Sequence, residues 1–229
     1  MPKSKFVYDA EDVAGLIIIP AEGYPPPVEP RGLADKSILA HRQIIRSSEH
    51  MRPLNDMVAR LRAEDRGSVP DFDPMDGGVN ARLLFLLEKP GPMTDADRPG
   101  RRGSGFISRD NDDQSAEALF TFMNEARIPR EETLLWNVIP WWNGTIRLTP
   151  DERREGLSRL EELLDLLPRL EGVVLVGQKA ARARPILKKR RLPVWVSAHP
   201  SPRVRARYPD RFRQIPYIWA DAVKCLQLT

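Results

Sequence analysis

Short apolar runs alternate with amphipathic stretches over the second two thirds of this chain. "ARLLFLL" (81–87), "TLLWNVI" (133–139), "GVVLVG" (172–177) and "PVWVSA" (193–198) are apolar almost throughout, as strands buried on both faces are. Helical patterns separate them: Ser115–Ala126, Asp151–Leu167 and Gln178–Lys189, with a last one after Pro209. In the second of these, Leu157, Leu160, Leu164 and Leu167 share one face. Strand and helix in strict alternation predict a three-layer α/β/α sandwich around a central four-stranded, mostly parallel sheet.

Upstream the pattern changes. From Asp35 to about Asp65 it is helical, with a break near Pro53, and Leu54, Met57, Val58 and Leu61 form one face. The turn-rich "GSVPDFDPMDGG" follows, and "RPGRRGSG" (98–105) reads as a mobile basic loop. Residues 1–34 contain "AEGYPPPVEPRG" and read as an extended, Pro-rich N-terminal arm, leaving 35–229 as a single α/β domain. No internal repeat is visible.

Composition narrows the functional classes. A chain of 229 residues with 41% hydrophobic side chains can fill one sizeable core. Its one cysteine, Cys225, cannot supply a disulfide framework, a Cys-ligated zinc site or a four-cysteine iron–sulfur cluster. The expectation is a protein of a reducing, cytoplasmic compartment with no cofactor and no metal. No apolar stretch approaches the roughly 18 residues of a membrane helix, so no membrane partner is expected. Net charge is only +4, yet Gln178–Arg213 holds twelve Lys or Arg against one acid, Asp210, a local +11. Such a concentration favours a polyanion through counterion release.

Ligands of doubly wound sheets sit beyond the carboxyl ends of the strands. Here the four runs end, in order, in "LEKPGP" (87–92), "WNVIPWWNG" (136–144), "VGQKAARARP" (176–185) and "AHPSP" (198–202). This ordered set resembles the uracil-DNA glycosylase superfamily. There the first strand ends in a Gly-x-x-Pro-Gly type loop, the next in an asparagine, and the last in His-Pro-Ser-Pro or a relative. The resemblance spans roughly residues 80–220. It implies a glycosylase domain over 35–229 that acts as a monomer on uracil-containing DNA and starts base excision repair.

The resemblance also implies roles. Phe106 in "GSGFISRDN" would stack on the flipped base, with Pro90 and Gly91 of the motif loop also contacting it, although an aromatic there could instead belong to the core. The Asn137 amide has the chemistry to read uracil, accepting from N3–H while donating to O4, a pattern that cytosine reverses. An asparagine there could instead satisfy nearby backbone groups. His199 matches the histidine that donates to O2 of the departing base, whereas His41 and His50, in the helical N-terminal region, read as structural. Ser201, Arg203, Arg205, Gln178 and Lys179 are the expected DNA contacts, although Ser201 is equally suited to capping a turn. Arg203 stands where many members carry a wedging leucine. Trp141 and Trp142 suit either a groove rim or packing.

The first motif departs from the family. Branches carry Asp or Asn at its third position, or Glu at its second; here the third is Lys89 and the second is Glu88. Glu88 therefore matches the Glu branch and would position water, with Leu87 replacing that motif's opening glycine. That branch normally holds an iron–sulfur cluster, so this chain is an atypical, cluster-free relative. Lys89 has three readings: partner for Glu88, contact to base or phosphate, or Schiff-base nucleophile. Two other functions compete, a non-catalytic DNA-binding relative and a nucleotide- or phosphate-binding enzyme of the same architecture.

Overall fold

The computed structural model describes residues 29–100 and 102–228. The chain order is α1 (Lys36–Ile45), α2 (Arg52–Ala63), β1 (Asp71–Phe72), β2 (Leu83–Leu87), β3 (Phe106–Ile107), α3 (Gln114–Glu125) and β4 (Thr133–Asn137). There follow α4 (Pro150–Asp165), β5 (Gly172–Val176), α5 (Arg184–Lys189), β6 (Val194–Ser197), α6 (Pro202–Arg207), α7 (Pro209–Arg213) and α8 (Ile215–Leu226). Most of the N-terminal arm lies outside the described residues. Its last part meets the domain at Leu33, a buried residue whose N–H donates to the Asp110 carbonyl at 2.9 Å.

The four apolar runs form one sheet in the order β4-β2-β5-β6, and every pairing is parallel. β4 and β5 are buried along their whole length, because helices cover both faces. On one face α3 and α8 pack together, and Trp219 of α8 meets Phe85 of β2 edge-on at 5.1 Å. α4 and α5 belong together elsewhere, joined by the 2.7 Å Arg190–Asp165 pair. β6 is an edge strand, half-buried through most of its length, and its Trp195 ring N–H donates to Asp221 of α8 at 2.8 Å. Among the described residues no helix is long and apolar enough to cross a membrane.

Helix starts follow local chemistry. Asp35 and Asp113 cap α1 and α3 through their side chains, and Thr149 and Glu152 form a capping box for α4. Ser201 caps α6 with Pro202 in its first turn. The stretch after His-Pro, which the prolines suggest is all loop, is therefore helical from Pro202, since proline is favoured at the first helical position. The pattern over Gln178–Lys189 is likewise split: a 3₁₀ turn, Ala180–Ala183, precedes α5.

A second sheet was not apparent from pattern. β1 and β3 pair in parallel, Asp71 with Phe106 and Phe72 with Ile107. Two-residue strands are too short to show a period. The supposedly mobile loop is anchored at its end, where the Gly103 N–H donates to Asp95 and Ser104 N–H to Met93, and both residues are buried.

Behind the small sheet lies a buried ionic cluster of Asp73, Asp76 and Asp110 with Arg42, Arg109 and Arg130. Arg130 reaches Asp73 at 2.6 Å, Asp110 at 2.8 Å and Asp76 at 3.1 Å; Arg42 reaches Asp110 at 2.6 Å and Asp73 at 3.0 Å. Burial pushes Asp73 towards its neutral form, but the Arg130 and Arg42 charges outweigh that and hold its pKa low. Asp76 has weaker partners, and burial raises it to about 6. The cluster ties α1, the segment after β1 and the segment after β3 into one unit, which fixes where Phe106 sits.

Candidate active site at the carboxyl ends of the strands

Because all four strands run the same way, their carboxyl ends share one edge of the sheet. The chain leaves β2, builds β4 on one side, then crosses back to build β5 on the other. The reversal falls between β2 and β5, and this switch point is where doubly wound sheets open a crevice. Glu88 follows β2 and Lys179 follows β5, and their side chains meet across it, Nζ to Oε1, at 2.6 Å.

Backbone pairing holds each position. The Val138 and Ile139 N–H groups donate to the Leu87 and Glu88 carbonyls, both at 2.9 Å, so β2 and β4 stay locked past their last residues. On the other side the Gly177 N–H donates to Ser197 at 2.9 Å. Gly177 has φ +96°, and a side chain there would start 3.2 Å from the His199 Cβ. Glycine is thus required twice over, for its dihedral and for the approach of the histidine.

His199 Nδ1 is buried and has no hydrogen-bond partner among the described residues. Burial, and secondarily the Lys179 ammonium, lowers its pKa to about 4, so the ring is neutral at physiological pH. Asn137 ends β4 and is only 4% exposed; its backbone is paired in register with Leu87. Among the described residues no hydrogen bond uses its side-chain amide. The alternative reading of Asn137 as a backbone satisfier finds no such bond. An amide and an imidazole nitrogen without protein partners, each at a strand end on the same edge of the sheet, are groups that a polar ligand could engage.

Lys89 is directed elsewhere. Its side chain is 3% exposed, and the ammonium donates to Asn143 Oδ1 at 2.7 Å and pairs with Glu152 Oε1 at 3.0 Å. Glu152 Oε1 also accepts from Asn143 Nδ2 at 2.9 Å, while Oε2 takes the Thr149 N–H at 2.9 Å. Burial opposes the Glu152 charge, yet the Thr149 and Lys89 bonds prevail and lower its pKa to about 2. Glu152 therefore anchors the motif loop. The Thr-Pro-Asp-Glu spacing marks it as a helix-start residue, but nothing in sequence pairs it with Lys89.

The remaining expected residues are spread around this edge. Pro90 is buried, and a side chain built on Gly91 would meet nothing within 4 Å. Phe106 is fully buried. The Ser201 hydroxyl accepts the Val204 N–H at 3.4 Å as the α6 cap. Gln178, Arg203 and Arg205 are exposed. Trp141 is buried and packs, with Arg66 above its ring at 5.6 Å, whereas Trp142 is half-buried and pairs through its backbone with Ser68. His50 accepts a structural place, its Nε2 3.1 Å from the Pro74 carbonyl.

Fold and edge together define an α/β protein with a candidate ligand site at a sheet switch point. The family comparison then specifies it: residues 74–223 match the uracil DNA glycosylase superfamily, and the chain belongs to that family. Membership carries a uracil-DNA-glycosylase-like function, of a kind exercised on DNA. No curated protein sequence matches the chain.

Proposed function

We propose that this protein is a monofunctional DNA glycosylase that flips uracil out of DNA and hydrolyses its N-glycosidic bond. The observation that carries the reading is that buried Asn137, Glu88 and a neutral His199 with an unpartnered ring nitrogen all lie at or just past the carboxyl ends of strands of one parallel sheet. The amide oxygen accepts uracil N3–H and its NH₂ donates to O4. His199, neutral and holding one N–H, stabilises the anion that develops on the base. Glu88 orients a water towards the deoxyribose C1′. As the C1′–N1 bond breaks, its electron pair leaves with the base, and the water oxygen bonds to C1′ and passes its proton to the Glu88 carboxylate.

Unstacking the target costs a few kcal/mol, and the arginine-rich segment from Arg203 supplies phosphate contacts that offset it. In this reading the protein acts as a monomer, and 35–229 works as one domain. Phe106 would stack on the base only after its cover is displaced, because it is sealed in the described structure.

The open space around Gly91 supports a range wider than uracil. Where a bulky side chain would exclude a 5-methyl group, this loop has none, so 5-substituted uracils and deaminated purines fit the reading. The test is release of free base from a labelled oligonucleotide carrying one uracil. Release at single-turnover rates well above the uncatalysed rate supports the glycosylase. Tight binding without release establishes a non-catalytic relative instead.

A further inference from the structure

The Glu88–Lys179 contact is at odds with the role given to Glu88, and the inference drawn from it rests on that glycosylase reading. A carboxylate that orients water needs a free lone pair aimed at the substrate. In the described structure the Lys179 ammonium lies 2.6 Å from Glu88 Oε1. That oxygen is buried and the ammonium sits off the direction a hydrogen bond needs, so the pair is held by charge and not by geometry. The two sides differ in freedom. The Glu88 side chain is 22% exposed and its backbone is clamped by Ile139, whereas the Lys179 side chain is 53% exposed. A lysine on a four-carbon stem at that exposure can leave, and the glutamate cannot follow it.

The neighbouring residues supply a reason for it to leave. Lys179 precedes the Ala180–Ala183 turn, next to exposed Gln178, and opens the basic stretch that continues through Arg182 and Arg184. Phosphodiesters binding along that stretch compete with Glu88 for the ammonium.

We propose that Lys179 is a positioning residue that latches Glu88 in the free protein and releases it when a DNA phosphate takes the ammonium. Without bound DNA the carboxylate is neutralised. With it, Oε1 is bare and faces the water it must orient. Phosphate contact would thereby switch on the water-handling group only on DNA.

A double-mutant cycle on DNA affinity tests this. The probe is a fluorescein-labelled duplex whose target deoxyuridine carries a 2′-fluorine, which disfavours the cationic sugar and blocks cleavage. Glu88→Gln should tighten binding about 3- to 10-fold, because the ammonium no longer has to leave a carboxylate. In a Lys179→Gln background the same change should alter affinity by less than about 1.5-fold. Lys179→Gln should also weaken wild-type binding and lower the salt slope by about one.

Equal gains from Glu88→Gln in both backgrounds would mean simple relief of repulsion and would overturn the latch. So would no gain in either background. The binding cycle needs no base release, so a protein that cuts nothing sinks the glycosylase reading while the cycle still decides the latch.

Discussion

Lys89 and Glu152 form a nearly buried ion pair, 3.0 Å apart, that ties the first motif loop to the start of α4. An ammonium held by a carboxylate and the Asn143 oxygen has no free lone pair for attack on a sugar carbon. Borohydride should therefore trap no covalent protein–DNA adduct. Lys89→Met should cost about 1 kcal/mol of stability in urea titrations, because Glu152 loses its ion pair but keeps the Asn143 and Thr149 bonds. An adduct that disappears in Lys89→Ala would reverse the assignment.

His199→Ala should slow single-turnover cleavage by about 10²-fold or more with DNA affinity nearly unchanged. Its ionisation predicts a second effect. The folded value near 4 lies below the unfolded 6.5, so the unfolded chain takes up the proton first as pH falls. This contribution is constant above about pH 6.5 and is lost between there and pH 4, amounting to about 3 kcal/mol. His199→Gln should flatten that part of the stability–pH curve, measured by urea denaturation at pH 7 and 4.5. A curve as steep as wild type would place the proton uptake elsewhere.

Gly177→Ala puts a methyl into a φ of +96° and within 3.2 Å of the His199 Cβ. The histidine has to shift, so kcat should fall more than KM rises. Equal kinetics for the two proteins would show that the approach of these residues is not needed for turnover.

Gly91→Tyr enters open space and should fold normally. It should narrow excision towards uracil and against 5-hydroxymethyluracil, hypoxanthine and xanthine, assayed in one oligonucleotide context, by about 10- to 100-fold. An unchanged range, or a wild type that removes uracil alone, would locate the specificity wall elsewhere.

Asp73→Ala takes one buried carboxylate from Arg42 and Arg130, leaving Asp110 to serve both, and should cost about 3 kcal/mol. Asp76→Asn mimics a carboxyl raised to about 6 and should cost much less near pH 6, with the difference read from urea midpoints. If the two variants are equally destabilised, the cluster does not divide in this way.

The main sheet, its helices and the strand ends that build the site were legible in the chain, because apolar period and run length are local properties. "ARLLFLL" is a buried strand by its own composition, and Asn137 and His199 sit at strand ends by position alone. Partnerships were not legible. Lys89 and Lys179 flank the same crevice, and no local signal says that Lys89 turns to Glu152, 63 positions away, while Lys179 meets Glu88. The ionic cluster is equally silent in sequence: Arg42, Asp73 and Asp110 acquire one another only when α1 folds over the small sheet. Charge pairing acts through space and is settled by which groups are desolvated together, so it was decided by the tertiary structure and not by the order of residues.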